Sequence, residues 1–124
     1  MTAAQALHNF WASFGWPAYD ENTVPSEELN PPMPRITYAV AEAGFEEPVT
    51  LNASLWDRGY SWVDISDKAH EIFATIGSGG VVLPMNAGAI WVTRGTPFLQ
   101  RMADEDDAIR RIVLQVQVEF FYMD

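Results

Sequence analysis

The stretch Ile112-Val113-Leu114-Gln115-Val116-Gln117-Val118-Glu119-Phe120 decides the fold class. Successive side chains of a strand point to opposite faces, so Ile112, Leu114, Val116, Val118 and Phe120 share one side. Gln115, Gln117 and Glu119 share the other. A strand with one apolar and one polar side belongs to an antiparallel sheet that is covered on a single face. Residues 61–77 supply a cover. Trp62, Ile65, Ala69, Ile72 and Ile76 step by three and four, which predicts a helix with one apolar stripe. Asp64, Asp67, Lys68 and Glu71 take its opposite face. Ser61 is placed to cap this helix, with Asp64 as its acidic third residue. Asp64 and Lys68 form an i,i+4 pair, and Gly77 takes the cap at the far end.

Working outward, Thr2 and Gln5 have the spacing of a capping box, and Leu7, Phe10, Trp11 and Phe14 form one stripe of a first helix. Gly15 and Pro17 end it. Residues 17–34 hold Pro17, Pro25, Pro31, Pro32 and Pro34 among eight prolines in all. Proline fixes φ and has no N–H to donate, so this is read as one long irregular loop that reaches a partner. Ile36, Tyr38 and Val40 then alternate as a strand, residues 44–48 turn, and Val49, Leu51, Ala53 and Leu55 return as its hairpin partner. Residues 81–83 begin another strand, 86–88 turn it, and 89–94 run back; loop signals follow from 95 to about 108. The order α-β-β-α-β-β-β predicts an α+β fold. It is a mostly antiparallel (mixed) sheet of about five strands with two main helices packed on one face. Residues 1–124 make a single domain, as 124 residues allow.

Composition removes several function classes. Seventeen acids stand against seven Lys and Arg, a formal net charge of −10. That balance repels nucleic acid, whose binding depends on cations that release phosphate counterions. It serves solubility, or an acidic surface along which DNA slides without sticking. With no cysteine there is no disulfide, thiolate metal site or Cys nucleophile. No stretch approaches the ~20 apolar residues of a membrane helix, and Met1 to Phe10 lacks the basic and apolar regions of a secretion signal. The chain is expected to be soluble and cytoplasmic when made.

No motif supports catalysis, a metal or a cofactor. His8 and His70 lie on separate helices and outside any zinc-ligand spacing. Gly77-Ser78-Gly79-Gly80 follows a helix, precedes a strand and has no lysine, so it reads as a cap and turn and not a phosphate loop. Asp104-Glu105-Asp106-Asp107 lacks the glycine and distant glutamate of a calcium loop and reads as a solvated turn or helix start.

The arginines stand out instead. Arg58, Arg94 and Arg101 lie at strand ends or in the loop, and Arg110 and Arg111 open the last strand. Arginine suits bidentate pairing with carboxylates, either within the chain or on a neighbouring copy. Exposed aromatics in 91–98 would anchor such a contact. The candidate partner-contact set is Arg58, Arg94, Phe98, Arg101, Arg110 and Arg111.

The order of motifs resembles a known family. After the first helix come Gly15-Trp16-Pro17-Ala18-Tyr19-Asp20-Glu21-Asn22-Thr23-Val24-Pro25 and Pro34-Arg35-Ile36-Thr37-Tyr38. Ser54-Leu55-Trp56-Asp57-Arg58 follows, with Ser61-Trp62, and then Arg94-Gly95-Thr96-Pro97-Phe98 and Gln100-Arg101-Met102. Ile109-Arg110-Arg111-Ile112 leads to Glu119-Phe120 at the end. Over nearly its whole length the chain resembles the tail-terminator (tail-completion, minor capsid or minor tail) proteins of long-tailed bacteriophages and prophages. The resemblance implies a non-catalytic virion subunit made in the host cytoplasm. It forms a homo-oligomeric ring, usually of six copies, that caps the tail tube protein and docks the head-completion or connector protein. DNA passes through such a ring without specific binding. Another phage neck or head-completion protein would carry a similar signature. A protein-binding module acting as a monomer or dimer is the alternative of a different class.

Overall fold

The computed structural model describes residues 1–22, 33–42, 44 and 47–123. Most of the proline-rich 17–34 stretch, and part of the 44–48 turn, lie outside the described residues. The elements are α1 (Ala3–Ala12), β1 (Ala18–Asp20), β2 (Arg35–Tyr38), β3 (Val49–Arg58), α2 (Val63–Ile76), β4 (Val81–Met85), β5 (Gly88–Met102) and β6 (Ile109–Tyr122). They build an α+β fold in which six strands form one mixed sheet, in the order β1-β2-β3-β6-β5-β4. Only β1 and β2 run parallel; every other neighbouring pair is antiparallel.

β6 lies at the centre, and its predicted apolar side is the floor of the core. Ile112, Leu114, Val116, Val118 and Phe120 are all buried, against Ile65, Ala69, Ile72 and Ile76 of α2 and Leu7, Phe10 and Trp11 of α1. α2 covers β3, β6 and β5, while α1 touches β1 and β2 at one edge and β4 at the other. A helix that reaches both edges requires a curled sheet, and the right-handed twist of strands supplies the curl. The predicted capping box of α1 is present, with the Gln5 N–H donating to Thr2 Oγ1 and the Thr2 N–H to Gln5 Oε1. No helix among the described residues is long and apolar enough to cross a membrane.

A sixth strand joins the expected five, and one expected strand runs on further. Ala18–Asp20, read from sequence as the start of the loop, runs beside Ile36–Tyr38 as β1. Pro17 joins this edge only through its carbonyl, which accepts the Ile36 N–H at 2.8 Å, so its missing N–H is not needed there. The second change is β5, which does not stop at Arg94 but continues to Met102 across a register break between Arg94 and Leu99. Gly95 and Pro97, read as loop signals, mark that break. A Cβ on Gly95 would come within 2.6 Å of the Gln115 carbonyl oxygen. Gly95→Ala therefore crowds backbone against backbone and is expected to lower stability by about 1–2 kcal/mol in urea unfolding.

The termini of α2 also differ in detail. The helix begins at Val63, so Trp62 occupies the cap position, and Ser61 Oγ accepts the Val63 N–H at 3.1 Å. Lys68 turns from the expected Asp64 to Glu71, at 3.3 Å, and donates to the Phe14 carbonyl at 2.7 Å. The Phe14 carbonyl, just past the end of α1, is a better-placed acceptor than an exposed carboxylate one turn back. Lys68 thereby ties the two helices together.

Candidate functional site

The predicted contact residues divide into two groups. Arg58, Arg101, Arg110 and Arg111 gather at the end of the sheet where β3 and β5 leave and β6 enters. Arg94 and Phe98 lie elsewhere, against the last turns of α2. The Arg94 Nε and Nη2 donate to the Phe73 carbonyl at 3.1 and 2.8 Å, with the guanidinium carbon 3.4 Å from the Phe73 ring centre. Phe98 packs edge-on against the same ring at 5.3 Å. A cation at a helix C-terminus is favoured by the aligned peptide dipoles, so this group is an internal anchor for α2.

Within the first group, most arginines hold the chain together. Arg110 donates to the Asp107 carbonyl at 2.7 Å and to the Tyr60 carbonyl at 3.1 Å, stapling the β5–β6 connection to the β3–α2 connection. Its guanidinium also lies 5.3 Å from the Trp62 ring, which Arg101 faces at 4.9 Å. Arg111 donates to Ser54 Oγ through Nε and Nη2 at 3.3 and 3.1 Å. Among the described residues only Arg58 meets a carboxylate, Asp106, at 4.0 Å. Among the described residues the arginines sit on aromatic rings more than on acids.

Strand register adds Arg35, Trp56 and Met102, which are outside the candidate set, to Arg111. Arg35, Trp56, Arg111 and Met102 stand directly opposite one another across β2, β3, β6 and β5. They form one row on the face of the sheet turned away from the helices. Arg35 and Arg111 lie 5.3 and 4.6 Å from the Trp56 ring, and the Trp56 Nε1–H donates to Thr37 Oγ1 at 3.0 Å. Burial lowers the pKa of Arg35 below that of a free arginine; Tyr19 opposes that shift and Arg58 adds to it. Arg58 alternates with Asp57 and so shares the open face with Trp56. No local pattern marks this row, because it exists only once four strands are in register.

The helix side of the same strands is acidic. A cleft of about 380 Å³ is lined by Trp16, Asp57, Asp64, Asp67, Lys68 and Glu71, so four carboxylates share one lysine. No group of His, Asp or Glu among the described residues is arranged to hold a metal ion. A second, apolar groove of about 330 Å³ lies between α1 and β4, lined by Phe10, Val81, Leu83 and Pro84.

His8 meets the Tyr38 hydroxyl through Nδ1 at 2.8 Å. Burial, and then the charge of Asp20, raises the Tyr38 pKa above its ordinary 10.0. The folded chain therefore holds this proton more tightly than the unfolded one. The associated stability is complete below pH 10.0 and is lost as pH rises through the higher folded value. Tyr38→Phe is expected to flatten that alkaline loss in denaturant melts taken on either side of pH 10.0.

No family model matches the sequence, and no curated protein does. One solved chain superposes on 97% of this chain and 91% of its own length, with a TM-score of 0.61 and 12% sequence identity. At that identity the likeness speaks for the fold alone.

Proposed function

We propose that this chain is a structural subunit of a phage tail. Copies of it close into a ring, six being the expected number, that terminates the tail tube and offers a docking face to the head connector. The observation that carries the proposal is the separation of charge across the sheet. Arg35, Arg58 and Arg111 share the open face, while Asp57, Asp64, Asp67 and Glu71 face the helix-side cleft. A subunit with unlike patches on opposite sides is suited to head-to-tail contact, the geometry that generates rings. The order of sequence motifs shared with tail-terminator proteins supports the same reading. So does a net charge of −10, which gives passing DNA little to adhere to. The chain's task in this reading is positional, with no catalytic step.

The apolar groove beside β4 favours a second reading, a protein-binding module acting as a monomer or dimer. Negative-stain microscopy of the concentrated protein, with mass from light scattering, separates the two. Closed rings are expected. A discrete two-fold dimer would count against the ring and for the module.

A further inference from the structure

We infer that the open sheet face around Trp56 docks the acidic helix-side cleft of a second copy of this chain, so that each subunit presents a cationic face to one neighbour and an acidic face to the other. This deepens the ring reading and rests on it for the number of copies; the contact itself follows from charge and register.

In a chain of net charge −10, three arginines converge on one end of one face. Arg35 and Arg111 flank Trp56, and Arg58 lies one strand repeat beyond it. Among the described strand residues, the one carboxylate on that face is Glu119, opposite Trp91. Eight residues along β6 separate it from Arg111, about 26 Å at the rise of a strand. On the rim, Asp106 reaches Arg58 at 4.0 Å, a pair between side chains each about half exposed that offsets little of the charge. The half-buried guanidiniums of Arg35 and Arg111 meet no carboxylate among the described residues, so the described part of this face carries a local excess of positive charge suited to an anionic counterpart.

The counterpart lies in the same molecule on the wrong side. Asp57 is the chain neighbour of both Trp56 and Arg58, but alternation turns it to the helix face, where it meets Asp64, Asp67 and Glu71 across the cleft. The sheet separates these two sets, so among the described residues they do not satisfy each other within one subunit. A two-fold contact that laid either face on its own counterpart would set arginine against arginine or carboxylate against carboxylate. A head-to-tail contact pairs the unlike faces, and it closes into a ring or runs on as a filament. Trp56 sits among the arginines as an aromatic anchor with a polar rim, the composition of interface centres.

The test uses the full chain in sedimentation velocity over a range of concentration and salt. Wild-type protein is expected to self-associate, and to do so less at high salt. Arg35→Glu with Arg58→Glu, and separately Asp64→Lys with Asp67→Lys, should each weaken association by about tenfold or more. The helix substitutions are at surface positions and guard against misfolding of the sheet variant. An equimolar mixture of the two variants should associate again, because every face then meets its opposite. Association indifferent to both reversals overturns the contact, even if microscopy shows rings. Salt-sensitive filaments that never close support the contact and remove the ring reading. A chain that stays single, yet binds polyglutamate through Arg35 and Arg58, overturns the second copy as occupant and makes the face a dock for another acidic protein.

Discussion

Phe120→Ala is expected to lower stability by about 3–5 kcal/mol, the largest loss of any single truncation considered for this chain. Phe120 is fully buried on β6, paired across the ladder with Ile90 and enclosed in the core beneath the helices. Truncation removes its transfer energy and leaves a void in a close-packed core that relaxes only partly around it. Phe121 is the contrast. It is the next residue, half-buried on the opposite face beside Ala89, and its replacement by alanine should cost distinctly less. Urea unfolding of the two variants side by side tests which face of the central strand carries the fold. Equal losses would mean that the open face is covered as fully as the core.

Arg94→Ala is expected to cost about 2–3 kcal/mol, more than an exposed arginine usually does. The side chain gives two hydrogen bonds to one carbonyl in the last turns of α2 and lies flat on the ring of the same residue, Phe73. Arg94→Lys should recover little, since an ammonium has neither the planar fork nor the stacking surface. Because the partner is a carbonyl and a ring, not a carboxylate, the loss should persist in about 1 M salt, where a surface ion pair would be screened. Thermal melts of the three proteins at low and high salt make the comparison. A difference that vanishes with salt would assign Arg94 to an ion pair instead. If the loss persists, Arg94 and Phe98 leave the list of partner contacts for internal packing, and attention narrows to Arg35, Arg58, Arg101 and Arg111.

The sequence made the periodic parts of the fold legible. The stripes of α1 and α2 and the alternation of β6 come from burial against a core, and burial imposes its period directly on residue type. Of the two elements that escaped, β1 follows Pro17 and the second half of β5 contains Gly95 and Pro97, residues that usually mark loops. At both places the tertiary setting overrides local propensity. Pro17 contributes a carbonyl to an edge pairing, and Gly95 allows the close approach of the Gln115 backbone.

The candidate site was legible only as a list of arginines. Their surroundings depend on contacts far apart in the chain. Phe73 lies 21 residues from Arg94, and Ser54 lies 57 residues from Arg111. Arg35 did not enter the list, because nothing local places it beside Trp56. The acidic cleft joins Asp57 at a strand end to Asp64, Asp67 and Glu71 on α2, a grouping that requires the helix to fold back over its own strand.

The absence of cysteine makes one measurement especially direct. A chain carrying Arg58→Cys and Asp67→Cys is treated with a short bismaleimide and resolved on a denaturing gel. Each single-cysteine chain is treated in parallel. Head-to-tail assembly predicts a ladder of covalent multimers from the double variant, ending at a closed ring, while both single variants remain monomers. A covalent dimer from either single variant would show like faces meeting across a two-fold axis, and would contradict the account.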